Sequence, residues 1–292
     1  MKKLSTLPAD VLGLLDGTDL TSSIGKFKDD LGGLILSRFA NEEKTPSIRM
    51  SNIGKPLRQL WYEINAEKNN IIPEKISGEA KFKFFYGHLL EAIVLYLAEV
   101  SGHKVERLQE EIEVDGVKGH IDAVIDGVLV DVKSCSSYSF NKFKSGALFQ
   151  DDPFGYVAQL SGYAFALDLP AAWVAIDKVS GEICILELPP DKIKEYDVIK
   201  RIQKVRTAVD MAVEPERCYE DIPHNKSGNR KLSIGCSYCP FKQHCWRDSN
   251  EGRGLQVFHY STGPVYLTSI IKEPKVQQKQ NWYEFEPAPK ET

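Results

Sequence analysis

The chain lacks any run of apolar residues long enough to span a bilayer, so no membrane partner is expected. It also lacks a signal-peptide core, because Pro8, Asp10 and Asp16 interrupt the stretch after the basic start Met1-Lys2-Lys3-Leu4. A cytoplasmic, reducing setting follows as the expectation, one that keeps cysteines as free thiols. No Gly-rich G-K-[ST] loop is present, so a nucleotide-driven motor is not expected. Internal repeats are missing too, which argues against a solenoid. Nor is there an excess of positive charge: 37 Lys and Arg stand against 41 Asp and Glu, a net charge of -4. That balance does not advertise a binder of polyanions, although local patches rather than the total decide the matter.

What is present is enough for a full core. With 292 residues, 42% of them hydrophobic, the chain fits one large domain or a domain with an appendage. Residues 1–50 read as an N-terminal segment of helices and loops, a candidate cap, with a linker at 41–46. A core follows over 51–215, a cysteine-rich segment over 216–250, and a short strand with a loose tail over 251–292. The expected fold class is α/β, a mixed central sheet flanked by helices, with a cysteine-bearing C-terminal segment. Helices are expected at 84–100, 156–167 and 190–213, where apolar residues recur at helical spacing. About three strands are expected over 108–135, with Leu108, Glu110, Ile112 and Val114 marking the alternation. Two more flank the Ser180-Gly181 turn, and residues 136–153 read as a loop rich in Ser, Phe and Lys. The aromatics of that loop are candidates for stacking on bases or simply for packing.

The most informative segment runs from Gly119 to Lys133. Asp126-Gly127 is a strong two-residue hairpin signal between β-branched runs. Counting outward from that turn places Ile125 opposite Val128, Val124 opposite Leu129, and Ala123 opposite Val130. Asp122 then faces Asp131 at roughly 5 Å, and Lys133 shares Asp131's face one pleat along. Ile121, Ala123, Ile125, Val128, Val130 and Val132 occupy the other face, which reads as core. Facing carboxylates repel, so a fold that builds them in is expected to hold a cation. Two carboxylates suit a hard divalent ion such as magnesium or manganese, which lowers the pKa of a bound water and offsets charge building up on a phosphate. A nearby lysine adds a mobile positive charge. An Asp-x-Lys tripeptide alone is unspecific, and weight comes from its registered partner Asp122 and from the flanking helices. Asp126 reads as a turn former only.

On the upstream helix Gly87 and Glu91 are four apart; on the downstream one Gln159 and Tyr163 are. Taken in order, Gly-x3-Glu on a helix, an Asp-bearing hairpin, Asp-x-Lys and Gln-x3-Tyr on a helix resemble the PD-(D/E)xK nuclease superfamily, in its RecB-like branch. The match runs from Gly87 to Tyr163, and a cysteine motif extends it to Trp246. The resemblance implies a restriction-endonuclease-like fold and a magnesium- or manganese-dependent DNA exonuclease. It implies metal ligation by Glu91, Asp122, Asp131 and the main-chain carbonyl of Val132, with Lys133 as the catalytic lysine. Gln159 and Tyr163 would position DNA, and Arg58, in a segment like the family's N-terminal motif, would contact phosphate. Ile121 stands where the superfamily name has proline, and Glu91 where many relatives carry histidine. Single-stranded DNA or duplex ends are the implied partners, with recombination or replication proteins beside them. A phage-encoded form would work in the host cytoplasm.

Six cysteines without a secretory signal argue for metal rather than disulfides. Cys236, Cys239 and Cys245 make C-x2-C-x5-C followed by Trp246, which resembles the cluster-binding tail of iron–sulfur RecB-like nucleases. Their upstream fourth cysteine is replaced here by Pro56, and Cys218 is the candidate substitute. Four thiolates suit a [4Fe–4S] cluster, while His224 or His244 would serve a zinc site. Cys135 and Cys184 read as buried side chains. Lys81, Lys83 and His88 form one basic patch, and Lys226, Arg230, Lys231, Lys242 and Arg247 another. The rival readings are a non-catalytic DNA-binding module with a structural metal knot, an endonuclease of the same superfamily, and a metal phosphatase on small substrates.

Overall fold

The computed structural model describes residues 2–17, 20, 21, 23–39, 46–276, 278 and 279. Residues 41–45 of the expected linker and the tail beyond 279 lie outside the described residues. In chain order the elements are α1 (Leu7–Leu15), α2 (Ile24–Phe39), α3 (Leu57–Asn65), α4 (Gly78–Val100), β1 (Val105–Glu106), β2 (Glu111–Val114) and β3 (Val117–His120). Then come β4 (Ala123–Ile125), β5 (Val128–Cys135), α5 (Ser137–Ser145), α6 (Tyr156–Leu167), β6 (Ala171–Asp177), β7 (Ile183–Leu188), α7 (Pro190–Glu195) and α8 (Val198–Val209). The C-terminal strands are β8 (Ile222–Pro223), β9 (Arg230–Lys231), β10 (Gln256–Tyr260), β11 (Gly263–Ser269) and β12 (Gln278–Lys279). Two compact units result: Met1–Lys55 with Ile76–Asp210, and Pro56–Lys75 with Met211–Thr292. The four segments expected along the chain are thus distributed over two units, and residues 56–75 join the C-terminal part.

The first unit is a mixed α/β layer structure. Its sheet runs β1-β4-β5-β6-β7, with β5 and β6 parallel and every other neighbouring pair antiparallel. One face of this sheet buries Ala123, Ile125, Val130, Val132, Ala172 and Val174 against Leu7 and Val11 of α1 and Val94, Leu97 and Ala98 of α4. The other face carries Trp173, which Phe143 and Phe149 meet edge-on. Both faces are therefore covered, as a parallel strand pair requires. The hairpin register is the one counted from the turn, with Ala123 opposite Val130, Val124 opposite Leu129 and Ile125 opposite Val128. Asp126 and Gly127 both adopt positive φ, 51° and 82°, the conformation such a turn demands.

A buried imidazole anchors the turn end. His103 Nδ1 lies 2.6 Å from Asp126 Oδ2, and its Nε2 lies 3.1 Å from Asp10 of α1. The other Asp126 oxygen accepts the N–H of Lys104 at 3.0 Å.

Several expectations need correction. The segment 136–153 is not a loop: Ser136 accepts the N–H of Ser139 to start α5, and Gly146 at φ 76° ends it. Phe140 and Phe143, three apart, face the core at 2% exposure, so they pack and do not stack on bases. The segment 108–135 holds four strands rather than three, since β2 and β3 form a separate two-stranded sheet. Leu108 is exposed and belongs to neither. Helix α4 starts at Gly78 rather than at 84 because Ser77 caps it, accepting the N–H of Ala80. The helix expected over 190–213 is two helices, and Asp197 begins the second by accepting the N–H of Lys200.

In the second unit α3 packs with the cysteine segment, where Trp61, Tyr62, Ile71 and Phe241 form one cluster. The expected short strand after Gly252 is instead part of a five-stranded sheet ordered β12-β10-β11-β9-β8. Among the described residues no helix is long and apolar enough to cross a membrane.

Candidate active site

Strand β4 begins only at Ala123, one residue after Asp122, and this late start shapes the site. The N–H and C=O of one strand residue point to the same edge, and successive residues alternate. Leu129 donates its N–H to Pro170 on the β6 side, so Asp131 and Lys133 also pair toward β6. Val130 and Val132 face β4. At Val132 that strand has run out, and its N–H donates to Asp122 Oδ2 at 2.7 Å instead. The Val132 carbonyl points to the same edge, beside Asp122.

Side-chain alternation carries Asp131 and Lys133 to one face of β5. Asp131 is buried at 3% exposure, and Lys133 Nζ lies 2.6 Å from its Oδ2. That contact is a buried ion pair, with the ammonium the near partner of this oxygen. Burial and the neighbouring Asp131 and Glu91 charges push the Asp122 carboxyl well above its ordinary range. Burial likewise raises Asp131, while the ammonium of Lys133 works against the rise. For Lys133 burial alone would favour the neutral amine, but the charges of Asp131 and Asp122 outweigh it and hold the ammonium form.

Glu91 reaches this group from α4. Gly87, one turn before it, has no side chain and leaves room for Ser134 of β5, whose Oγ would lie 3.2 Å from any added Cβ. The helix therefore lies close to the strand, and the Glu91 charge acts on both aspartates. Gln109 Nε2 donates to Glu91 Oε1 at 2.7 Å, while the Gln109 N–H donates to the Asp122 carbonyl at 3.2 Å. His88 Nδ1 stands 3.7 Å from the other Glu91 oxygen.

Glu91, Asp122, Asp131, Val132 and Lys133 are thus brought together. Gln159 is half-buried on α6, and its amide lies 3.5 Å from the Tyr163 hydroxyl. Tyr163 differs from its expected role as a DNA contact. It is 2% exposed behind the site, its phenol pushed up to about 12 by burial. Its ring packs where a Cβ on Gly119 would come within 2.8 Å, so glycine is required there. Arg58 also departs from expectation: it is buried in the second unit, donating to Glu214, Pro215 and Tyr62 at 2.6, 2.7 and 3.1 Å. All three kinds of guanidinium nitrogen are engaged there, which leaves it no fork for a phosphate.

Sequence reasoning missed Gln109 and Tyr156. The Tyr156 ring lies 5.1 Å below Lys133 Nζ and is flanked by Phe143 and Phe154. Asp152 fixes this tyrosine by accepting the N–H groups of Gly155 and Val157 at the start of α6. The one advance signal was Asp152-Pro153 ahead of an apolar helix, a cap signature.

In the second unit Cys218, Cys236, Cys239 and Cys245 line one cavity of about 20 Å³, together with Arg58, Arg217 and Lys242. Burial raises the thiols of Cys218 and Cys236, and that of Cys239 to about 12. Among the described residues no group of three or more His, Cys, Asp or Glu is arranged to hold a metal ion as it stands.

No family profile matches the sequence, and no curated protein does. Among solved structures the chain is similar to SSO0001, at 14% identity and a TM-score of 0.40 over 72% of this chain and 91% of that one. It is similar to a phage related exonuclease from Haemophilus somnus 129PT, at 18% identity and 0.35 over 57% and 95%. An alkaline exonuclease from Laribacter hongkongensis overlaps at 13% identity and 0.39 over 61% and 94%.

Proposed function

We propose that this protein is a magnesium- or manganese-dependent deoxyribonuclease that hydrolyses phosphodiester bonds at DNA ends. The observation that carries this reading is the convergence of Glu91, Asp122, Asp131 and Lys133, from a helix, a strand end and a strand, at the edge of β5 left open where β4 ends. The donor set suits a hard divalent ion: the carboxylates of Glu91, Asp122 and Asp131 and the Val132 carbonyl. Bound there, such an ion would supply Lewis acidity and activate water for attack on phosphorus.

The chain's own groups do the rest. Asp122 is oriented by Val132, and Glu91 by Gln109, so neither has to be ordered when substrate arrives. Lys133, held as an ammonium, offsets negative charge as it grows on the phosphate oxygens. Gln159 is available to orient the strand, and Tyr163 supports it from behind. Action on ends rather than within the strand rests on resemblance to the RecB-like branch.

The four cysteines support a second element of the reading, a structural iron–sulfur cluster or zinc ion. Four thiols around one cavity are the right number of ligands for either group. Cys218→Ser should strip the metal found by elemental analysis, and a brown colour would identify iron–sulfur.

The deciding experiment incubates end-labelled linear DNA with manganese, using wild type, Asp131→Ala and Lys133→Ala. Progressive loss of label by wild type alone is expected. Cutting of closed circles would remove the end requirement, and full activity in both variants would remove the site.

A further inference from the structure

Helix α4 begins with an unusual surface. Phe82 is 70% exposed and Phe84 is 60% exposed, with exposed Lys81 and Lys83 interleaved. Large aromatic rings are ordinarily buried, and the two phenylalanines of α5 are. On a helix, positions 84, 88 and 91 fall on one stripe, so Phe84 stands in line with His88 and Glu91. The rise from Phe84 to Glu91 is about 10 Å. Lys81 and Lys83 flank the ring on its two sides, while Phe82 turns away from the stripe.

We propose that this face of α4 is a platform for single-stranded DNA, with Phe84 stacking on a base and Lys81 and Lys83 meeting the neighbouring phosphates. A ring standing out from a helix offers one π face, and an unpaired base can lie on it. In a duplex the internal bases already stack on each other, and their faces are out of reach. The two lysines complement the phosphates, and the stripe leads into the carboxylates without a break in the helix. The occupant is therefore an unpaired strand rather than an intact duplex. This inference rests on the nuclease reading and narrows its substrate to DNA with an unpaired end.

The test is fluorescence anisotropy with a labelled single strand and a labelled blunt duplex, in chelator, so that binding is read without cleavage. Phe84→Ala should weaken single-strand binding about 10-fold and duplex binding less than about 2-fold, and Phe84→Tyr should restore it. Lys81→Ala with Lys83→Ala should flatten the salt dependence by about 0.7 per lysine, the single-strand value. Phe84→Ala binding as wild type, or losing both DNAs equally, overturns the platform. If wild type still degrades DNA in manganese, the platform alone falls. If wild type neither binds nor degrades DNA, the nuclease reading falls with it.

Discussion

The carboxylate of Asp122 accepts the main-chain N–H of Val132 at 2.7 Å, in the place a neighbouring strand would have filled. One oxygen of that carboxylate is spent on orientation, and the proposed cation would take the other. The same bond lets a variant separate geometry from charge. Asparagine at 122 can still accept the Val132 N–H, but it carries no charge.

Asp122→Asn should therefore abolish cleavage and yet stabilise the metal-free protein. A carboxyl whose pKa is raised on folding binds its proton more tightly in the folded state. Its stabilising contribution is complete below the ordinary value of 3.8 and is lost as pH rises through the raised folded value. In chelator at about pH 7 the variant should melt roughly 2–4 °C above wild type, the gap closing toward about pH 4. Adding manganese should raise the melting temperature of wild type and not of the variant. A variant less stable at neutral pH would remove the charge-crowding account.

Gln109→Leu keeps the volume and removes the donor that orients Glu91. The manganese needed for half-maximal cleavage should rise about 10- to 100-fold, as outer-shell losses do. A manganese titration of initial rates measures this directly. An unchanged titration would mean Glu91 needs no such support.

Tyr156 supports Lys133 through its ring. Tyr156→Leu should lower kcat about 10-fold with KM little changed, and Tyr156→Phe should behave as wild type. In a Lys133→Ala background the leucine should cost nothing further, because the ring would have nothing to position. Additive losses would assign Tyr156 to packing alone.

Gly119→Ala would place a Cβ 2.7 Å from that of Met50 and 2.8 Å from the Tyr163 ring. A cost of about 1–3 kcal/mol is expected, read from denaturant titration. Val114 and Val117, paired at the other end of the same small sheet, should tolerate conservative changes with smaller loss. Undiminished stability would show that Tyr163 has room to move.

The hairpin was legible because Asp126-Gly127 permits one turn geometry, and that turn fixes every pairing along it. Helix α6 was legible in full, since its apolar residues recur at helical spacing over 156–167. Helix α5 was not, although Ser136 and Gly146 mark its ends, because only Phe140 and Phe143 point inward and serine and lysine dilute the pattern. The joining of α3 to the cysteine segment depends on contacts between residues far apart in the chain, such as Tyr62 with Phe241. No local spacing reports that. Gln109 escaped for a similar reason: its φ of 50° and its bond to Glu91 exist only once the sheet has formed.

The clamp on the hairpin turn has a further consequence. His103 grips Asp126 from below while Asp10 holds the ring's other nitrogen, so the turn cannot migrate along the strands. A shift of one residue would send Asp122, Asp131 and Lys133 to the apolar face and bring Val130 and Val132 outward. Which side of the sheet can perform chemistry is thus decided at the end of the hairpin farthest from it. Insertions at the turn should prove far less tolerable than its exposed tip suggests, and they would silence the site without touching one of its residues.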